Sequence, residues 1–168
     1  DSAAAYPSIK RKQWVLIAHW PYGVYFWPGG FWLYQWAEPQ LSDVVYVSAE
    51  MAWIGRVVAV AGDTVGYKSN AFWSKQRNVT VLAMPAKTYL PMSVVQKECI
   101  DGSCYPIWHL ANIQEQEVLP TMLPPGTVYL LADNRSLVAD SRVWGAVALP
   151  HIIGRLYCWS DLRSGLGL

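Results

Sequence analysis

Hydrophobic positions along this chain fall in short runs separated by turn formers, and few of the runs keep a helical period. Val44-Val45-Tyr46-Val47, Arg56 to Val60, Val79 to Leu82 and Val128 to Leu131 are rich in β-branched or aromatic residues and bounded by turn residues. That pattern predicts strands. Gly62-Asp63 lies between two apolar runs and predicts a tight connection between them. Pro124-Pro125-Gly126 predicts a loop that feeds a strand over Thr127–Leu131. The one helix candidate is Leu110 to Val118, where Gln and Glu accumulate. No internal repeat, low-complexity tract or linker divides the chain. The expectation is a single, mainly β domain over residues 1–168, with 1–12 as an N-terminal extension and a less regular excursion inserted at about 75–120.

Composition narrows the function classes. Hydrophobic residues make up 53% and charged residues 15%, which excludes a disordered chain, and a net charge of +1 gives a nucleic-acid partner no electrostatic footprint. The cluster Lys10-Arg11-Lys12 reads as a solvated face. Tryptophan is the unusual residue: ten in all, with Trp14, Trp20, Trp27, Trp32 and Trp36 close together, and no Asp, Glu, Lys or Arg from Gln13 to Ala37. Three readings of that stretch stay open. It is long enough to span a bilayer, although Pro21, Pro28, Gly23 and Gly29-Gly30 would break a lipid-exposed helix. Trp20, Trp27, Trp32 and Trp36 could instead form a surface for a membrane–water boundary or a partner, or the stretch could be plain core. No secretory leader is visible; a leader or anchor lost ahead of Asp1 is compatible with the sequence.

Cys99 and Cys104 enclose Ile100-Asp101-Gly102-Ser103, in which Asp-Gly is a good turn former. Two strands joined there would bring the sulfurs within bonding reach, and a disulfide would imply an oxidising compartment. Cys158 sits in an apolar run and reads as a buried thiol. His19, His109 and His151 have no metal-ligand spacing, and neither a metal site nor a cofactor motif is expected.

Longer motifs carry a resemblance. Pro125-Gly126-Thr127-Val128-Tyr129-Leu130-Leu131-Ala132-Asp133-Asn134-Arg135 is followed by Asp140-Ser141-Arg142-Val143-Trp144-Gly145-Ala146-Val147 and by Ile153-Gly154-Arg155. This resembles the Gly-Asp-Asn-Arg, Asp-Ser-Arg, aromatic-Gly-x-Val block of the type I signal peptidase family. Upstream, Ile54-Gly55-Arg56-Val57 through Gly62-Asp63-Thr64-Val65 is similar to that family's Lys-Arg-Val block and its following Gly-Asp-x-Val. Ser42-Asp43-Val44-Val45 lies where the family has a Gly-Asp-x-Val strand. His19-Trp20-Pro21-Tyr22-Gly23-Val24-Tyr25 resembles the Ser-x-Pro-x-Gly-x-Tyr pattern of the conjugative-transfer, TraF-type branch. The resemblance implies a β-rich signal-peptidase-like fold, membrane association and a periplasmic face at the inner membrane.

It also implies a Ser–Lys dyad, in which a lysine with a lowered pKa takes the proton of a serine hydroxyl. Here the matching positions hold His19 and Gly55, and Val138 stands where a further serine would steady the lysine. Glycine cannot take a proton and valine cannot hydrogen-bond through its side chain. Losing the first member of such a unit costs orders of magnitude, so the remaining losses cost little more. Arg56 cannot replace the base, because a guanidinium stays protonated. The retained Arg56, Asp133, Asn134, Arg135, Asp140, Ser141 and Arg142 read as structural: Asp140 with Arg142, Asp133 with Arg56, Ser141 as a hydrogen-bonding core residue. Ala132 replaces the usual glycine, so a left-handed backbone there would be strained.

Three functions follow as expectations. The first is a catalytically inactive family member that acts as a binding or scaffold component of a conjugative type IV secretion or pilus machine. Its partners would be other subunits or an extended peptide, at a membrane surface. The second is an active peptidase rebuilt around His19 that processes a pilin or secreted precursor. The third is a membrane-surface binding module.

Overall fold

The computed structural model describes residues 4–9, 13–26, 31–48, 52–84, 93–111, 117–136 and 139–158. Its strands in chain order are β1 (Val15–Ala18), β2 (Gly23–Phe26), β3 (Phe31–Gln35), β4 (Val44–Val47), β5 (Trp53–Val60), β6 (Thr64–Lys68) and β7 (Ala71–Ser74). They continue as β8 (Val79–Ala83), β9 (Ser93–Ile100), β10 (Ser103–Leu110), β11 (Val118–Met122) and β12 (Thr127–Leu131). A four-residue helix α1 (Ser141–Trp144), β13 (Val147–Ala148), a 3-10 turn (Leu149–His151) and β14 (Ile152–Cys158) follow.

The frame is a six-stranded sheet in the order β1-β14-β4-β5-β12-β13, all neighbours antiparallel. β5 lies inside it, and the near-continuous apolar run Val57-Val58-Ala59 is fully buried because both faces are covered. One face carries Val45, Val47, Trp53, Val57, Val128, Leu130 and Ile152. A second cluster joins Val58, Val65, Tyr67, Ile107, Tyr129 and Leu131, bringing the sheets β11-β6-β7 and β10-β9-β8 against the frame. Burying each such side chain contributes about 1.5–3 kcal/mol, so the two-sided burial of β5 and β12 is what organises the molecule.

Two sequence expectations change, and one of the readings left open for the charge-free stretch is narrowed. The described part of the 75–120 excursion is largely an ordered three-stranded antiparallel sheet, in which Ser93–Ile100 pairs with both Val79–Ala83 and Ser103–Leu110. The helix candidate does not hold at its ends, since Leu110 closes β10 and Val118 opens β11; residues 112–116 lie outside the described set. The charge-free stretch forms β1 and the hairpin β2–β3 rather than a helix, and no helix among the described residues is long and apolar enough to cross a membrane.

Candidate functional site

His19 leaves the end of β1 into a turn held by the backbone N–H groups of Tyr22 and Gly23, which donate to the His19 carbonyl. Its Nδ1 lies 2.6 Å from the carbonyl oxygen of Ile153 on β14. A carbonyl only accepts, so Nδ1 carries the hydrogen of this contact. Tyr25 stacks on the imidazole at 5.2 Å and Trp32 meets it edge-on at 6.5 Å. Trp32 is itself fixed by donation from Nε1 to the Ile152 carbonyl. Just beyond the turn, the Tyr22 hydroxyl donates to Asp43 at 2.7 Å, and Asp43 also pairs with Arg155 at 3.0 Å. Burial, then the Asp43 carboxylate, push the Tyr22 hydroxyl far above its ordinary range.

Gly55 sits in β5 opposite Val45 of β4 and is buried. Trp53, two residues earlier and therefore on the same face of the strand, lays its ring over Gly55. A Cβ added to Gly55 would stand 2.2 Å from two carbons of that ring, so this position admits no side chain while Trp53 is in place. Trp53 is 7% exposed and meets the edge of Trp144 from α1 at 5.1 Å. Val138 lies outside the described residues.

On the other face of β5, Arg56 makes a two-pronged pair with Asp133: Nε donates to Oδ1 at 2.7 Å and Nη2 to Oδ2 at 2.6 Å. Nη1 donates to the Ser42 carbonyl, Nη2 also to Ser8 Oγ, and the guanidinium lies over the Tyr105 ring at 4.2 Å. Burial works against the Arg56 charge, but the Asp133 carboxylate overrides it and the net direction is up. Asp140 caps α1 by accepting from the Arg142 backbone N–H and binds the Arg142 guanidinium at 2.9 and 2.8 Å. Ser141 Oγ accepts from the Leu130 N–H inside the core. Arg135 is fully enclosed and pairs with Glu98, which also accepts from the Tyr105 hydroxyl at 2.5 Å. Burial, then Glu98, push Tyr105 well above its ordinary value. Asn134 forms a short parallel bridge to Trp108. Ala132 is not among the left-handed residues; Ser42 is, at φ 71°.

Sequence reasoning missed Glu98, Tyr105 and Trp53. Glu98 follows the polar Gln96-Lys97, so nothing in the sequence singled it out as a buried carboxylate. Nothing in the sequence showed that an indole would cover residue 55.

Residues 1–159 match the family described as "Signal peptidase, peptidase S26". This chain belongs to that family. It is 31% identical over 147 residues to signal peptidase I of Mycobacterium tuberculosis, in each of two strains, a match covering 79% of this chain and 45% of the relative. Signal peptidase I of Bacillus caldolyticus is 25% identical over 113 residues, covering 67% of this chain and 56% of that protein. The chain thus spans about half the length of the curated relatives it matches.

Within this signal peptidase family member, the aromatic stretch divides. Trp20 is 59% exposed and stacks on Tyr157; Trp36 is 54% exposed, and Phe31, Leu33 and Tyr34 of β3 are exposed beside it. Trp32 is half-buried and turns inward to His19 and Ile152; Trp27 lies outside the described residues. Cys99 and Cys104 stand directly opposite each other in β9 and β10 and form a disulfide. Asp101 and Gly102 turn the hairpin with φ of 49° and 86°, the left-handed pair that a two-residue connection of this kind needs. Cys158 is half-buried rather than buried, packing at the end of β14 against the small cluster of Ala5, Ile9 and Leu156.

Proposed function

We propose that this signal peptidase family member does not cut peptide bonds and serves as a binding or scaffold component of a conjugative type IV secretion or pilus-assembly system. The observation that carries the reading is the pair of residues at the positions resembling the dyad. Gly55 offers no amine, its side-chain space is filled by Trp53, and His19 brings an imidazole where a hydroxyl would attack. A serine-type mechanism needs both a nucleophile and a base within reach of it. The conjugative assignment rests on the likeness of His19–Tyr25 to the TraF-type motif. The exposed aromatic side chains of β1–β3 support a place at a membrane surface, and the disulfide supports a periplasmic one. An extended peptide added along the sheet, or another subunit, is the partner we favour.

The test is incubation of purified protein with pilin precursors and signal-peptide substrates, read by mass spectrometry. Intact substrate, with retention of the unprocessed peptide by immobilised protein, is the expected result; specific cleavage would end the proposal. One observation favours a second reading, an active peptidase rebuilt around His19: its ring is held in place through Nδ1 by the Ile153 carbonyl, which leaves Nε2 as the nitrogen that could do chemistry. Cleavage abolished by His19→Ala would establish that alternative.

A further inference from the structure

Ala5 and Ile9 of the N-terminal segment pack with Leu156, Val44 and Ile54 on one face of the six-stranded sheet. Arg56, two residues after Ile54, lies on that same face. A cavity of about 260 Å³ remains there, open to solvent and walled by the N-terminal segment, the loop before β4, and strands β4, β5 and β14. At about 30 Å³ for a water-sized group, such a space holds roughly nine non-hydrogen atoms. Its polar wall is made by Ser8, Ser42, Arg56 and Arg155, and among the described residues no Asp or Glu lines it. Asp133 and Asp43, which pair with the two guanidiniums, stand outside the wall. Ser42 Oγ is buried and has no hydrogen-bond partner. Ser8 Oγ accepts from Arg56 Nη2 and keeps its own O–H to donate. Arg56 makes four hydrogen bonds with its five N–H donors, which leaves one on Nη1. The polar wall therefore has donors to spare, while Ile9, Val44 and Leu156 make the remainder apolar.

We propose that this cavity binds a carboxylate carried on a short aliphatic body. The carboxylate is an acceptor-only group and takes the spare donors of Ser42, Ser8 and Arg56, with guanidinium charge beside it. The aliphatic part lies against Ile9, Val44 and Leu156, and the volume limits it to a few carbons. A short-chain fatty acid and the C-terminal residue of a peptide present this same chemistry. Neither the cavity nor its ligand depends on whether the chain cuts peptide bonds.

Cys158 lines the cavity and is the one cysteine outside the disulfide, so its alkylation reports occupancy. The full chain, with its disulfide intact, is treated with iodoacetamide at increasing hexanoate, and labelling of Cys158 is followed by mass spectrometry. At about ten times its dissociation constant, hexanoate is expected to slow labelling about tenfold by mass action. Hexanamide, of the same shape without the charge, is expected to protect far less. Ser42→Gly removes the hydroxyl at a left-handed position that glycine accepts, and should raise the hexanoate needed; the loss of a hydrogen bond to a charged group sets that rise at about tenfold. Val44→Phe fills the space and should abolish saturable protection; if it does not fold, the Ser42→Gly comparison carries the test. Acetyl-Ala-Leu, set against its C-terminal amide, separates the sources: stronger protection than hexanoate assigns a peptide chain end, weaker protection assigns a fatty acid. Unslowed labelling at saturating concentrations of both acids, equal protection by hexanamide, or a Cys158 that iodoacetamide does not reach in the unliganded protein would each overturn the proposal.

Discussion

Arg56 has a partner for every nitrogen: the Asp133 carboxylate on two sides, the Ser42 carbonyl and the Ser8 hydroxyl, with the Tyr105 ring beneath. Such a guanidinium is a fastener, and its energetic weight shows when one partner is removed. Asp133→Ala leaves a cation that is 8% exposed without its counter-charge, and is expected to cost about 3–5 kcal/mol in urea unfolding. A loss below about 1 kcal/mol would mean that water or Glu98 takes over, and the structural role assigned here would be wrong. Asp140 and Arg142 form a second fastener, joined to the first through the Arg135 carbonyl, which accepts from Arg142 Nη2 at 2.7 Å. The left-handed Ser42, at the position resembling a family glycine, is held in its strained conformation because Arg56 grips its carbonyl.

Among the elements, the hairpin β2–β3 with the end of β1 departs furthest from what a soluble sheet needs. Phe31, Leu33, Tyr34 and Trp36 stand exposed in succession, and Trp20 extends the surface over Tyr157. If this surface meets lipid, as proposed, Trp20→Ala with Trp36→Ala should reduce flotation with anionic liposomes several-fold while the melting temperature stays within about 2 °C; unchanged flotation would exclude these residues as the contact. The strands themselves were legible, because period-two runs and their bounding turns are local properties; β4, β5, β8 and β12 lie where the runs predict. The regular sheet β8–β10 was harder to see, since Pro106 and the polar Gln96-Lys97-Glu98 blur its alternation and pairing across distant residues decides it. The ion pair Arg56–Asp133 was legible only through family motifs, because nothing local links residues 56 and 133, whereas Asp140 and Arg142 stand two residues apart. Glu98 and Trp53 escaped, as their partners are set by tertiary packing alone.

At the scale of the whole molecule, several tyrosines are buried with their hydroxyls in apolar or acidic surroundings, and this ties stability to alkaline pH. Burial first, and the Asp140 charge second, push Tyr129 from its ordinary 10.0 up to about 12, against a smaller opposing effect of Arg142. Between about pH 10 and 12 the unfolded chain releases this proton while the folded chain keeps it. The stability term is therefore complete below pH 10 and is lost as pH rises through the folded value. Tyr22 and Tyr105 act with the same sign. The Tyr129 hydroxyl also has no hydrogen-bond partner, so Tyr129→Phe should leave neutral stability unchanged or raise it by up to about 1 kcal/mol. It should also shrink the loss between about pH 10 and 12 in urea titrations; an undiminished alkaline loss would remove Tyr129 from this account. The hairpin tip has a consequence of a different kind. The rung after the Cys99–Cys104 bridge is Glu98 opposite Tyr105, the rung on which Arg135 closes. Material made in a reducing cytosol and material made in an oxidising compartment are thus two different polymers at this corner, one with that rung stapled beside its neighbour and one relying on main-chain pairing and the contacts of Glu98. Whoever compares preparations from two hosts is comparing two chain topologies.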